Sequence, residues 1–278
     1  MQEFKYITDK ILDAPFFTEP FKHLYIENLL SNEHLEMLQS CEQIKLNPAN
    51  STEELIKTLK NKGYSAIKFP GCTTSVKEYL NWYNNKQTDQ VYNGDIVEAF
   101  GMAFNLENIK SQEIKNLVNF LNSDHFHQTL HKKFNITRES RVTTRIQKYL
   151  TGYEISPHPD VRSKCLTYLI NINTESAVEK QNVHTHLLKF KPKYRTIYNY
   201  WESNPSVDRC WVPWEWCETK KYVSKNNSLV MFAPSNDTLH AVKLEYNHLP
   251  FQRTQLYGNL WYTKKVKAKE AYYQNLPV

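Results

Sequence analysis

The sequence predicts a mainly β protein with supporting helices, an α+β chain whose second half is a β-sandwich or jelly roll. Up to about Phe134, apolar residues recur at helical spacing behind capping serines. From about Arg141 the texture turns to short strand-like runs separated by turns. The third observation is bulk composition: 278 residues, 40% hydrophobic and 13% aromatic, are enough to bury a core and too apolar for a disordered chain. One domain over 1–278 is expected, with 1–140 as a mixed helical support, 141–265 as the β core, and an aromatic insert at 189–222.

In chain order, "FKHLYIENLL" has strand composition, and "SNEHLEMLQSCEQI" is a helix behind Ser31. Ser51 and Glu54 have capping-box spacing, which starts a second helix at "STEELIKTLKN". "NLENIKSQEIKNLVNFLNSDHFHQTLHKKF" predicts one or two helices ending near Phe134. The strands follow in "RVTTRIQKYL", "KCLTYLININ", "HTHLLKF", "SLVMFAP", "LHAVKLEY" and "RTQLYGNLWY". No internal repeat is present, and the one biased segment is the Trp/Tyr-rich stretch from Tyr194 to Tyr222.

Five cysteines, odd in number and with no CxxC pair, indicate neither a disulfide framework nor a zinc ribbon. No apolar run is long enough to span a bilayer, and "MQEFKYITDKILDAPFF" lacks a signal-peptide pattern, so a cytoplasmic, reducing location is expected. The net charge of +6 is modest and its lysines are scattered, the densest run being "TKKVKAK". A solvated face explains such a run better than a nucleic-acid surface does.

The stretch "YEISPHPDVRSKCLTYLININ" carries the chemistry. Side chains alternate along an extended segment, so His158 and Asp160 point the same way and can grip one ion. His240, at a strand-turn-strand corner after "SLVMFAP", is the candidate third ligand. Two histidines and a carboxylate form a facial triad with three open positions, which suits non-haem Fe(II). Arg253, in an otherwise apolar strand, needs a partner, and its bidentate guanidinium fits the far carboxylate of a dicarboxylic acid.

The order His158-X-Asp160, His240, then Arg253 thirteen residues later resembles the Fe(II)- and 2-oxoglutarate-dependent dioxygenases, whose fold is a double-stranded β-helix, a cupin-like jelly roll. "PFKHLYIENLLSNEHLEMLQ" is similar to the N-terminal segment of the prolyl-hydroxylase-like branch. The likeness covers 141–262 well and the first 140 residues loosely. It implies Fe(II) on His158, Asp160 and His240, with 2-oxoglutarate chelating the iron and anchored by Arg253. It also implies consumption of O2 with release of succinate and carbon dioxide. Because related halogenases lack the carboxylate, Asp160 implies hydroxylation. In the branch, a tyrosine on the strand before His-X-Asp helps hold 2-oxoglutarate, which points to Tyr149 with Gln147 and Arg145 nearby. Tyr257 shares the expected inward face of the last strand with Arg253, Gln255, Asn259 and Trp261.

Rival readings remain. His184 and His186 in "NVHTHLLKF" could form a cupin-like metal pair, although the glutamate expected after them is missing, and one of them is expected at the pocket rim. Cys210 and Cys217 with either histidine fit no standard zinc spacing. Arg162 and Lys164 are ordinarily solvated turn residues, yet they fall near the pocket mouth. Trp211, Trp214 and Trp216 either pack the fold or form a platform over the iron. The substrate stays open among a peptidyl proline, a sugar and a small metabolite, with nucleic acid disfavoured. The alternative from another class is a non-catalytic jelly-roll module that binds carbohydrate or peptide through the aromatic insert. Oligomeric state is left open.

Overall fold

The computed structural model describes residues 2–67, 75–85 and 101–264. Cys72 and all but the first two residues of the basic run 263–269 lie outside them.

The first half contains α1 (Lys5–Asp13), β1 (Leu24–Glu27), α2 (Asn32–Ser40), α3 (Thr52–Asn61), β2 (Tyr64–Ala66), α4 (Val76–Asn85), β3 (Ala103–Leu106), α5 (Gln112–Leu121) and α6 (Asp124–Phe134). Serines start five of these helices, Ser75 taking the Glu78 amide at the start of α4. Ser31, Ser51, Ser111 and Ser123 each accept a hydrogen bond from the amide three residues on, which satisfies a donor the helix cannot. The expected capping box at Ser51 is closed differently: Glu54 takes the amide of Asn50 at 3.0 Å. The helical stretch expected from residue 105 starts later, because Ala103–Leu106 is buried on both faces and forms a strand between β2 and β4. It then divides at Ser123, which caps the second helix.

The second half holds β4 (Ser140–Tyr149), β5 (Glu154–His158), β6 (Lys164–Asn171), β7 (Thr185–Phe190), α7 (Thr196–Ser203), β8 (Cys217–Val223), β9 (Ser228–Phe232), β10 (His240–Lys243) and β11 (Arg253–Tyr262). They form a seven-stranded sheet of order β1-β9-β6-β11-β4-β3-β2 and a four-stranded sheet of order β5-β10-β7-β8, with every pairing antiparallel. From β4 onward the chain crosses repeatedly between the two sheets. That alternation of two four-stranded halves is the jelly roll, or double-stranded β-helix, with β1, β2 and β3 extending the larger sheet. Strand β8 and helix α7 lie inside the aromatic insert and were not foreseen. "CETKKYV" alternates exposed Glu218, Lys220 and Tyr222 with half-buried Thr219 and Lys221 on an edge strand, so its hydrophobic signal is weak.

Parity assigns the two faces of the large sheet. Leu256 and Leu260 of β11, Leu166, Tyr168 and Ile170 of β6, and Ile146 of β4 pack under the helices in one continuous core with Leu55, Leu59, Leu117 and Phe120. The alternate residues face the small sheet and enclose the pocket. The small sheet's outer face is covered in turn by the insert, where Trp201, 1% exposed, packs with Leu188, Val212 and Leu239. Trp201 is therefore core, and the aromatic insert is mainly a packing layer.

Candidate metal centre and its pocket

His158 ends β5, His240 opens β10, and the two stand directly opposite each other in the ladder. Their ring centroids are 4.3 Å apart. His158 donates from Nδ1 to the carbonyl of Ser156 at 2.8 Å, and His240 from Nδ1 to that of Thr238 at 3.0 Å. A carbonyl can only accept, so both protons sit on Nδ1 and both Nε2 lone pairs are available to a metal. Asp160 lies at φ 63°, a left-handed turn that aspartate tolerates better than most residues. Its carboxylate oxygens stand 3.5 Å from His158 Nε2 and 3.7 Å from His240 Nε2. One ligand atom from each of the three residues lies within 4.8 Å of the others, and among the described residues this is the one such group. The donor set fits a first-row divalent metal: two neutral imidazole nitrogens and one anionic oxygen on one side of the ion, with the cavity on the other.

The carboxylate is held from behind. Lys164 Nζ donates to Oδ1 at 2.7 Å and Thr167 Oγ1 to Oδ2 at 2.6 Å. Burial alone would raise the Asp160 pKa, but Lys164, His240 and His158 outweigh it and hold the group well below the usual carboxylate range. Burial and then the neighbouring His158 push the His240 imidazole down to about 3. Lys164 is 6% exposed, so it is no solvated turn residue. A register shift between Leu260 and Trp261 brings Lys164 opposite the inward-facing Trp261. Strict alternation from Thr167 would have sent it outward, and the bulge reverses that.

The cavity, about 730 Å³ with its mouth included, is lined by the three candidate ligands and by Gln147, Tyr149, Arg253 and Tyr257, among others. Arg253 is 3% exposed and donates from Nη2 to Thr185 Oγ1 at 2.8 Å. Its guanidinium carbon stands 4.7 Å from the Tyr149 ring centroid. Tyr149 donates its hydroxyl to Gln147 Oε1, and Gln147 donates to Asn105 Oδ1 at 2.8 Å. Tyr246 donates to the Tyr149 carbonyl at 2.5 Å and accepts the Arg253 amide at 3.0 Å, tying β4 to β11. Thr185, Tyr246 and Thr167 were missed by sequence reasoning, and Lys164, placed near the pocket mouth, proves to line the cavity and hold Asp160. Inward parity on "KCLTYLININ" could have found Thr167, whereas the others depend on strands brought together in space.

Several expected site residues lie elsewhere. Arg145 is half exposed and pairs with Glu107 at 2.8 Å, beyond the pocket. Arg162 pins the insert to the metal loop, donating from Nε to the carbonyl of Val207 and from Nη2 to that of Trp201, 2.7 Å each. His186 is not at the pocket rim. Its neighbour Thr185 faces the cavity, so His186 faces outward, bonded to Thr219 and flanked by Trp214 and Tyr222 rings at 5.2 and 4.7 Å. His184 meets the Glu179 carbonyl, and neither histidine belongs to a group of three potential metal ligands among the described residues. Trp216 stacks on Tyr194 and Trp214 donates to Glu154, both on the outer layer. Trp211 alone of the three reaches the centre, with its ring 6.4 Å from that of His158. Cys210 and Cys217 are free thiols outside any such cluster.

No protein-family model matches the sequence. No curated protein matches it either. Among solved structures, a Pseudomonas putida prolyl-4-hydroxylase is similar at 9% identity and TM-score 0.47, over 94% of this chain and all of that one. A Trichoplax adhaerens prolyl hydroxylase, in complex with a hypoxia-inducible-factor oxygen-degradation-domain peptide, has 9% identity and TM-score 0.43, over 94% of this chain and 89% of that one. A Burkholderia pseudomallei protein of the 2OG-Fe(II) oxygenase family has 8% identity and TM-score 0.34, over 78% and 94% respectively. Among the described residues, no helix is long and apolar enough to cross a membrane.

Proposed function

We propose that this chain is an Fe(II)- and 2-oxoglutarate-dependent dioxygenase that hydroxylates an unactivated C–H bond. The observation that carries the reading is the pairing of the His158, Asp160 and His240 cluster with a buried, cavity-facing Arg253 in one pocket. Thr185, the partner of Arg253, stands two residues along β7 from the position opposite His240. That offset is about 7 Å along a strand, a span suited to a five-carbon dicarboxylate held by the metal at one end and the guanidinium at the other.

In this reading His158 Nε2, His240 Nε2 and the Asp160 carboxylate hold Fe(II). Arg253, with the Thr185 hydroxyl and the Tyr149 ring, holds the distal carboxylate of 2-oxoglutarate. Bound iron and cosubstrate supply activation of dioxygen coupled to oxidative decarboxylation of the keto acid. The chain supplies placement. Lys164 and Thr167 fix the rotamer of Asp160, the two backbone carbonyls fix the imidazole tautomers, and the apolar walls Ile155, Leu169 and Val242 limit water around the reacting groups. A carboxylate as third ligand occupies the position that a halide would otherwise take, which favours hydroxylation.

The test is anaerobic titration with Fe(II) and 2-oxoglutarate, read by the weak visible charge-transfer band of a chelated keto acid. Wild type develops the band, Asp160→Ala does not, and Arg253→Met needs about tenfold or more 2-oxoglutarate to reach it. Wild type that binds iron and never shows the band overturns the reading.

A further inference from the structure

The metal-bearing end of the barrel carries a second feature, a broad groove on the outer side of the metal loop. It is bounded by the end of α6, the approach to β4, the β5–β6 and β9–β10 loops, residues 205–209 of the insert and the end of β11. Its lining holds the cationic residues Arg138, Arg162, Lys164, Arg209 and Lys264 against the single carboxylate of Asp208. Asp208 is already engaged, since its Oδ1 accepts the backbone amides of Arg162 at 2.8 Å and Arg209 at 3.0 Å.

Arg209 is the unusual member. It is 8% exposed, and its Nε donates to the backbone carbonyl of Asp160 at 2.9 Å. Neither terminal nitrogen donates to any described residue, and neither is sealed from solvent. Most buried guanidinium groups use their fork on a protein acceptor, because leaving charged donors unmet in a partly desolvated place is costly. Here the fork is anchored by one nitrogen and left open at the other two. The neighbouring cations are oriented too: Arg162 by two carbonyls, and Arg138 by the carbonyl of Lys264 and the Tyr262 ring, 3.7 Å away. The nearby carboxylates of Asp160 and Asp208 are already engaged, by Lys164 and by two backbone amides, so a fixed guanidinium fork open at two nitrogens beside Arg162 matches a planar or tetrahedral oxyanion.

We propose that this groove is an oxyanion-binding site in which Arg209 takes the phosphate or carboxylate group of a small molecule beside the metal loop. It stands at the end of the barrel where the metal ligands lie, one carbonyl from Asp160, which makes the anionic end of a substrate its fitting occupant. That last identification rests on the oxygenase reading; the site itself does not.

The experiment is calorimetric titration of the full-length protein, loaded with Fe(II) and 2-oxoglutarate under anaerobic conditions, with inorganic phosphate and separately with acetate. Wild type, Arg209→Gln and Arg209→Lys are compared, and the visible band is recorded in each to show that the metal loop is intact. The expected result is saturable binding of one of the two anions, weakened about tenfold or more in Arg209→Gln, with partial retention in Arg209→Lys, which keeps the charge and loses the fork. Preference for phosphate assigns a phosphate ester, and preference for acetate assigns a carboxylate. No saturable binding by wild type, or equal binding by a folded Arg209→Gln, overturns the site while leaving the oxygenase reading in place. Arg209-dependent binding by a protein that never shows the band keeps the site and removes the oxygenase reading.

Discussion

At the residue scale, the chemistry depends on small groups that hold larger ones still. Thr167 gives Asp160 a 2.6 Å hydrogen bond, with Asn259 Oδ1 a longer 3.3 Å from the same hydroxyl, and valine would keep the shape and lose both contacts. Thr167→Val is expected to fold normally and to weaken Fe(II) or Mn(II) binding by about 10- to 100-fold, measured by competition with a chelating dye. Unchanged affinity would show that Lys164 alone orients the carboxylate. Lys148 works against the fold. Packed under the helices at 1% exposure, with Thr254 Oγ1 at 2.7 Å as partner, it is pushed down to about 7 by burial. Between about 7 and the ordinary value of 10.5 the unfolded chain holds a proton that the folded one lacks, so this group makes stability rise with pH across that window. Below it both states are charged and the full cost is present. Lys148→Met therefore raises stability at pH 7 by about 1 kcal/mol or more, read as a higher urea midpoint, and flattens the rise toward pH 10; a lower midpoint would contradict this.

At the scale of elements, β11 and β6 show how strictly neighbouring strands restrict side chains. Gly258 faces the helix layer opposite Tyr168, and a Cβ built there would lie 1.9 Å from the Tyr168 ring. That ring is fully buried and its hydroxyl is bonded to Thr144, so it has nowhere to go. Gly258→Ala is expected to destabilise by about 1–3 kcal/mol in chemical denaturation, and an unchanged midpoint would mean that the sheet shifts freely. Elements with strong local signals were legible: the helices behind Ser31 and Ser51 and the six quoted strand runs sit within a few residues of where patterning places them. Strand β8 was hidden because an edge strand with polar alternate residues lacks the apolar run that marks a strand. Lys164, by its flanks a solvated turn residue, is buried in the pocket because a bulge set by pairing with β11 turns it inward.

At the scale of the whole molecule, several histidines are buried neutral. Burial pushes His248 down to about 4, burial with His184 and Arg253 does the same for His186, and His240 falls to about 3. Each ordinarily titrates at 6.5. As pH falls from there toward 4 the unfolded chain takes up protons that the folded one refuses, so stability is lost across that interval. The metal-free protein should show a lower urea midpoint at pH 5 than at pH 7, and His248→Gln should reduce the difference. A pH-independent midpoint would mean that these rings take up protons as readily in the folded chain as in the unfolded one.

The sequence by itself determined the fold class, the helix starts at Ser31 and Ser51, and the residue types and order from which His158, Asp160, His240 and Arg253 could be nominated. The first two are carried by local pattern, apolar spacing or a serine whose hydroxyl takes the amide three residues on, and the last by the alternation that pairs His158 with Asp160 and by the order of the other two along the chain. Only the tertiary structure decided which of the other polar residues meet them. It drew Lys164, Thr167 and Thr185 in, turned His186 outward and moved Arg145 to Glu107. It also left the fork of Arg209 open beside the metal loop. The physical reason is that sheet register, bulges and the packing of the insert are settled between segments far apart in the chain, and no local pattern records which face a distant partner will present.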